Sequence, residues 1–262
     1  GNQSILWRAG SVIEKAEGYK KDSGNRYLGS RWKSFVRYRY NYKSEIQFGV
    51  AADKDAGEAV FGRAGRGGFD FYSFHLMMRD FKSIEIIALG DYMVSLGQGL
   101  VSWQGGAFGR GGDASYIKRQ GARLRPHQSA AEFGFFRGVA VQKSIEWFDL
   151  LIFASHRKLS GNVEMDEETG EPVVRTIYAG GLHRTPTEIN NRKSFTETVG
   201  GFDLRSKRKG LDIGLHSVWY RYSIPVNRND EPYLLFAQNG SQWMNTGIDF
   251  SITRNNFHFF GE

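Results

Sequence analysis

The feature that most restricts this chain is a run of alternation beginning at Arg31. Trp32, Ser34, Val36, Tyr38, Tyr40 and Tyr42 share one parity, while Arg31, Lys33, Arg37, Arg39 and Asn41 share the other. Phe35 alone breaks the pattern. Successive side chains of a β-strand point to opposite faces, whereas a helix would scatter both sets around its circumference. The segment is therefore a strand with an aromatic face and a basic face. After Lys43-Ser44, Ile46, Phe48, Val50 and Ala52 alternate with Glu45, Gln47, Gly49 and Asp53. The two runs read as a hairpin.

The same grammar recurs in residues 69–79 with 82–92 around Asp80-Phe81, and in 133–142 with 145–156 around Lys143-Ser144. Further strand candidates are 173–183, 195–205, 211–222, 243–253 and 257–260, about eleven strands in all. Polar or glycine-rich segments separate the hairpins at 53–68, 93–132, 156–172 and 223–241. Short turns on one side and long loops on the other are the arrangement of outer-membrane barrels. Strand length agrees, since a tilted membrane strand needs about 9–11 residues and an ordinary globular strand averages about 5–6. With 33 glycines and 15% aromatic residues, the composition suits β-structure with many reversals.

These features predict an all-β chain, an antiparallel up-and-down transmembrane β-barrel with an inserted Gly-rich loop and one short helix. Residues 1–262 read as a single barrel domain cut at both ends, because the alternating strand 256–260 stops at Gly261-Glu262 and the start lacks both an initiator methionine and a signal pattern. The competing fold is a soluble β-sandwich or barrel with the aromatic parity facing a core. Alternation does not distinguish lipid from core. Strand length, hairpin asymmetry and a hydrophobic content of only 40% favour the membrane, and with it the bacterial outer membrane as location and outer-membrane lipid as partner.

Residues 173–183 resist a strict up-and-down scheme, because a polar segment follows where a short turn belongs. Within that segment Thr185-Pro186-Thr187-Glu188 has a helix-start signature: a threonine cap, proline at the first helical position and glutamate three residues past the cap. A short helix is expected there, either folded into the lumen or covering a rim. A missed strand between Arg157 and Phe195 would also explain the shift.

No stretch approaches the about 20 apolar residues of a membrane helix. Zero cysteines exclude disulfides, thiolate metal sites and cysteine nucleophiles. Phosphate-loop, nucleophile-elbow and metallohydrolase-helix motifs are absent, and the six histidines stand far apart. The expectation is a non-enzyme with neither metal nor cofactor. Gly90-Asp91-Tyr92, Gly97-Gln98-Gly99-Leu100, Gly105-Gly106 and Gly109-Arg110-Gly111-Gly112 superficially resemble a phosphate cradle, but no amphipathic helix follows. Inward folding of this loop, with glycine supplying the positive φ angles that close packing demands, is preferred over phosphate binding, and an exposed mobile loop is the equal alternative.

The 35 lysines and arginines against 28 acids leave a net charge of +7. Lys118-Arg119, Arg123 and Arg125, and the run Arg205-Ser206-Lys207-Arg208-Lys209, read as solvated loop and turn charges. Arg31, Lys33, Arg37 and Arg39 differ, because their spacing aims all four at one face. Lining a pore, they would favour anionic solutes. A soluble polyanion-binding or nucleic-acid-binding sheet would carry the same row with aromatics for stacking. Glu132, Arg137, Arg184 and Glu188 are charges beside apolar positions, suited to ion pairs that brace an inserted loop.

Several short motifs are shared with a known family. Tyr27-Leu28-Gly29-Ser30, Gly90-Asp91-Tyr92, Gly97-Gln98-Gly99-Leu100, Arg125-Pro126 with Ser129 and Glu132, Phe135-Phe136-Arg137-Gly138 and Leu182-His183-Arg184-Thr185 resemble a family of Bacteroidota outer-membrane β-barrels often described as helix-hairpin-helix-domain proteins. The resemblance implies a Gram-negative outer-membrane location and marks Asp91, Gln98, Arg125, Glu132, Arg137, His183 and Arg184 as motif residues. It supplies no catalytic residue. Members resemble longer chains with an N-terminal region associated with DNA, so nucleic acid is implied as a partner through the parent chain. No such region is visible in 1–262.

Overall fold

The computed structural model describes residues 1–20, 25–60, 68–104, 117–228, 234 and 236–262. Fourteen strands form one sheet. They are β1 (Asn2–Gly10), β2 (Lys33–Tyr42), β3 (Ile46–Lys54), β4 (Phe71–Phe81), β5 (Ile84–Val94), β6 (Leu124–Pro126), β7 (Phe136–Ile145), β8 (Phe148–Leu159), β9 (Gly161–Met165), β10 (Pro172–Ile177), β11 (Phe195–Arg208), β12 (Leu211–Val226), β13 (Gly240–Arg254) and β14 (Phe257–Gly261). Among the described residues the one α-helix, α1, is Pro186–Asn190. The chain is all-β and runs as an antiparallel meander, β1-β2-β3-β4-β5-β7-β8-β11-β12-β13-β14, with β1 and β14 as its edges.

The connections divide by length between the two ends of the sheet. At one end, β2–β3, β4–β5, β7–β8, β11–β12 and β13–β14 join through two or three residues. Lys43, Lys82, Glu146, Gly210 and Asn255 take positive φ there, the conformation tight hairpins require. At the other end lie 11–32, 55–70, 95–135, 160–194 and 227–239.

Three expectations are corrected. The segment 173–183 is a strand only as far as Ile177, and it stands outside the meander: β10 pairs antiparallel with β9 and touches β12 through the single parallel pair Val174–Val226. The missed strand is β9, so the β9–β10 hairpin is an excursion within the β8–β11 connection and the up-and-down order survives. Residues 2–10, which carry little alternation and stand outside the strands read from the sequence, add a further strand that pairs with β2 along its length. Asp80 and Phe81 continue β4, with the turn at 82–83, and Lys143 and Ser144 continue β7, with the turn at 146–147.

Register places every strand's alternate residues on one of two faces. Across the ladder Val50 faces Phe74, Leu76 faces Leu89, Leu89 faces Val139, Ile152 faces Phe202, and Leu215 faces Leu204 and Ile248. This bare face is apolar and exposed: Phe74, Leu89, Val139, Ile152, Phe202, Leu215 and Ile248 are all more than a third accessible, Ile152 at 53%. Tyr42, Phe81, Trp147 and Phe257 add an exposed aromatic row at or beside the short turns. Trp32 and Tyr72 are exposed at the opposite end.

The other face is covered by the described parts of the inserted segment, 95–104 and 117–135. Met77, Ala88, Tyr92, Phe136, Leu151, Phe153, Val199 and Val218 pack there with Leu96 and Leu124 of the inserted segment. β6, within that segment, pairs with the end of β5. A second cluster of Leu159, Val174, Phe195 and Val226 seats the β9–β10 hairpin. Paired charges share the covered side with these apolar clusters, and the bare face departs from the usual soluble surface in being mainly apolar.

Candidate functional site

The inserted segment is held by side chains spread across the covered face. Arg37 donates to the Gln128 carbonyl at 3.0 Å and Arg39 to Gln128 Oε1 at 3.1 Å. Arg123 pairs with Asp149 at 3.1 Å and Asp203 at 2.9 Å. Lys118 donates to Ser251 at 2.6 Å. The N–H groups of Gln98 and Leu100 donate to Glu262 at 2.7 and 3.0 Å. The expected inward folding is thus realised over residues 95–104 and 117–135; Gly105-Gly106 and Gly109–Gly112 lie outside the described residues. Gly97 and Gly99 have φ of +49° and +93°, and a Cβ on Gly97 would meet Glu262 at 2.8 Å, so glycine is needed for that approach.

Two groups expected to be solvated are not. Arg205 projects onto the covered face, pairing with Asp249 at 2.8 Å and Asp212 at 3.0 Å, and Arg123 is half-buried in the pairs above. Burial on one side of a sheet demands paired charges, and register brings Asp203 opposite His216 and Gly214 opposite Asp249. His216 Nε2 lies 2.9 Å from Glu262 and its Nδ1 3.4 Å from Asp249. Asp203, His216 and Asp249 have ligand-like mutual spacing; Arg123 bonds Asp203 Oδ2 and Arg205 both Asp249 oxygens, while Asp203 Oδ1 and His216 Nδ1 are buried without a hydrogen-bond partner. Burial opposes the charge on Glu262, yet the Leu100 and Gln98 N–H groups and His216 hold its carboxyl below the usual range.

The four basic residues at 31–39, three on β2 and Arg31 just before it, separate. Arg37 and Arg39 contact Gln128, Lys33 pairs with Asp55 at 2.6 Å, and Arg31 donates to the Ile13 carbonyl. Arg31, Lys33 and Arg37, with Arg8 and Gln128, line a cavity of about 720 Å³. Gln98 and Arg125 act within the insert: Gln98 Oε1 accepts from the Arg119 N–H, and Arg125 donates to the Gln104 carbonyl. Asp91 is fully buried, accepts two bonds from Arg137 at 2.6 and 2.8 Å, and takes the Phe74 N–H. Arg137 therefore pairs with Asp91, not with Glu132.

The remaining motif residues converge at the long-loop end. Thr185 and Glu188 form the expected capping box of α1, with Glu188 also pairing Arg184 at 3.0 Å. The Leu28 N–H donates to the Arg184 carbonyl, and the Arg184 guanidinium sits 4.7 Å from the Tyr27 ring centroid, so two sequence motifs meet. His183, buried, places Nδ1 2.6 Å from Asp70 Oδ2 and Nε2 3.1 Å from Ser160 Oγ, while its N–H donates to Glu58 at 3.0 Å. Glu58, Asp70 and His183 have ligand-like spacing, but both ring nitrogens are engaged in hydrogen bonds. Arg192 pairs with the other Asp70 oxygen at 3.1 Å.

Glu132 faces Gly181 nearby. Burial, with the Asp70 and Glu58 charges, raises its carboxyl to about 8. Burial and Asp70 likewise raise Glu58. Asp70 and Ser160 escape sequence reasoning because they stand 113 and 23 positions from His183. Only His183 carried a signal, as part of a motif. Comparison of the chain with protein-family models, curated proteins and solved structures finds no match.

Proposed function

We propose that the chain is part of an outer-membrane β-barrel that serves as a passive channel or envelope transport scaffold with a basic lumen. The observation that carries this reading is the distribution of polarity: the bare face exposes mainly aliphatic and aromatic side chains from β1 to β14, with Lys158 and Arg221 near the long-loop end, while paired arginine, aspartate and glutamate lie on the covered one. An exposed apolar surface of that extent suits a lipid or protein contact, and aromatic residues at strand ends suit the membrane–water boundary. The division of short turns from long connections points the same way. Arg8, Arg31, Lys33 and Arg37 around one cavity would attract anionic solutes. Membership of the Bacteroidota barrel family, and any handling of DNA by the parent chain, belong to the same proposal.

The test is single-channel recording of the full-length protein in planar bilayers, comparing wild type with Arg37→Glu/Arg39→Glu. A loss of anion preference, with heat-modifiable migration intact, supports the pore role. Unchanged selectivity overturns it. Monodispersity without detergent, together with steeply salt-dependent polyanion binding, would overturn the membrane assignment itself.

A further inference from the structure

We propose that Ser160, His183 and Asp70 are a nucleophile, general base and orienting carboxylate that hydrolyse a short-chain carboxylic ester at the long-loop end of the sheet. The argument begins with the direction of the hydrogen bonds. An ionised carboxylate only accepts, so the 2.6 Å contact between Asp70 Oδ2 and His183 Nδ1 puts the ring proton on Nδ1. Nε2 is then an acceptor, and the group 3.1 Å from it is the Ser160 hydroxyl. The serine proton therefore points at a base whose far side is held by an acid, the order of roles in serine hydrolases on unrelated folds.

The surroundings support each role. Asp70 is fixed by Arg192 on its other oxygen, and the His183 main chain is anchored by Glu58, so the ring is held from two directions. Ser160 follows the last residue of β8, half-buried, and accepts the Lys193 N–H at 3.1 Å. That bond stabilises negative charge developing on Oγ. Ser160 lines a cavity of about 120 Å³ whose wall includes Phe133, Tyr178, Gly181 and Lys193. A space of that size accepts an acyl group of about two to four carbons, judged against a share of about 30 Å³ per water. The Lys193 side chain lines the same space, where a cation favours the oxyanion of a tetrahedral intermediate.

In the first half-reaction Ser160 Oγ bonds to the ester carbonyl carbon while His183 Nε2 takes its proton and the π pair moves to oxygen. Collapse breaks the ester C–O bond, and the same proton passes to the leaving alkoxide. In the second half, water gives a proton to His183 and attacks the acyl-serine. The carboxylic acid leaves and Ser160 regains its hydrogen. Ester and water become acid and alcohol, with no oxidant or reductant. This activity is independent of whether the chain conducts solutes.

The experiment uses full-length protein in detergent micelles, its fold checked by heat-modifiable migration. A fluorophosphonate probe is expected to label Ser160, located by peptide mass spectrometry, and p-nitrophenyl acetate is expected to turn over. Ser160→Ala should abolish labelling and lower turnover at least a hundredfold. Asp70→Asn, similar in size but with an amide in place of the carboxylate, should lower kcat at nearly unchanged KM. Labelling elsewhere, no labelling of folded wild type, or equal hydrolysis by wild type and Ser160→Ala overturns the proposal. The labelling site is read on wild type, so the test does not depend on any variant folding.

Discussion

At the scale of single residues, glycine and one carboxyl make the sharpest demands. Gly90 has φ +88°, and a Cβ there would lie 2.3 Å from the Phe74 carbonyl oxygen. The backbone turn at Gly90 ends the β4–β5 ladder and delivers Asp91 to Arg137. Gly90→Ala is expected to destabilise the fold by at least the about 1–3 kcal/mol typical of a strained non-glycine position, read as a lower urea midpoint of refolding. Glu132 gives a pH dependence. Its folded carboxyl titrates near 8, above the unfolded value of 4.5, so the native state holds the proton more tightly and stability falls as pH rises from 4.5 to 8. Glu132→Gln should raise the urea midpoint at about pH 9 and change it little at about pH 5. Equal effects at both would show that Glu132 stays charged when folded.

At the scale of elements, α1 shows how a local motif positions a distant side chain. Its capping box was readable because Thr185, Pro186 and Glu188 act within one turn, where spacing alone determines contact. The helix follows His183 by two residues, and Glu188 takes the N–H groups of Arg184 and Thr185. Thr185→Ala should cost about 1 kcal/mol and loosen the backbone bearing His183, seen as faster amide exchange at 183–188 with the β-strands unaffected. The neighbouring hairpin was less legible. β9 and β10 are short, and β10 shares a single ladder pair with the meander, Val174–Val226 on β12, so neither long alternation nor a turn signature marked where the strand 173–183 would stop. β1 was missed for the opposite reason. It is an exposed edge strand, with no buried face to impress a pattern on its residues.

At the scale of the whole molecule, the question is what the bare face meets. Ile152 lies on that face and Leu151 on the covered one, adjacent in sequence and opposite in environment. If lipid covers Ile152, Ile152→Arg should destabilise the folded barrel by up to about 2–4 kcal/mol, as for a cation near the bilayer midplane, measured by urea titration in lipid vesicles. A neutral effect would place water there instead. Leu151→Arg should be severe in either medium, because it puts an unpaired charge into the packed cluster.

The alternation of Trp32 to Tyr42, the length of the runs and the punctuation between them determined strands, hairpins and the two-ended distribution of turns, because all three depend on neighbours within a few residues. Alternation also separated Arg37 and Arg39 from the tyrosines. It had no means of assigning partners. Arg123 and Arg205 read as solvated until the register and the fold of 95–135 brought acids to them. The same holds for His183, whose meeting with Asp70 and Ser160 joins two separate connections, 55–70 and 160–194, at one end of the sheet. Contacts between residues so far apart along the chain arise only when strand order and register close the distance, and that is decided by the packing of the entire sheet.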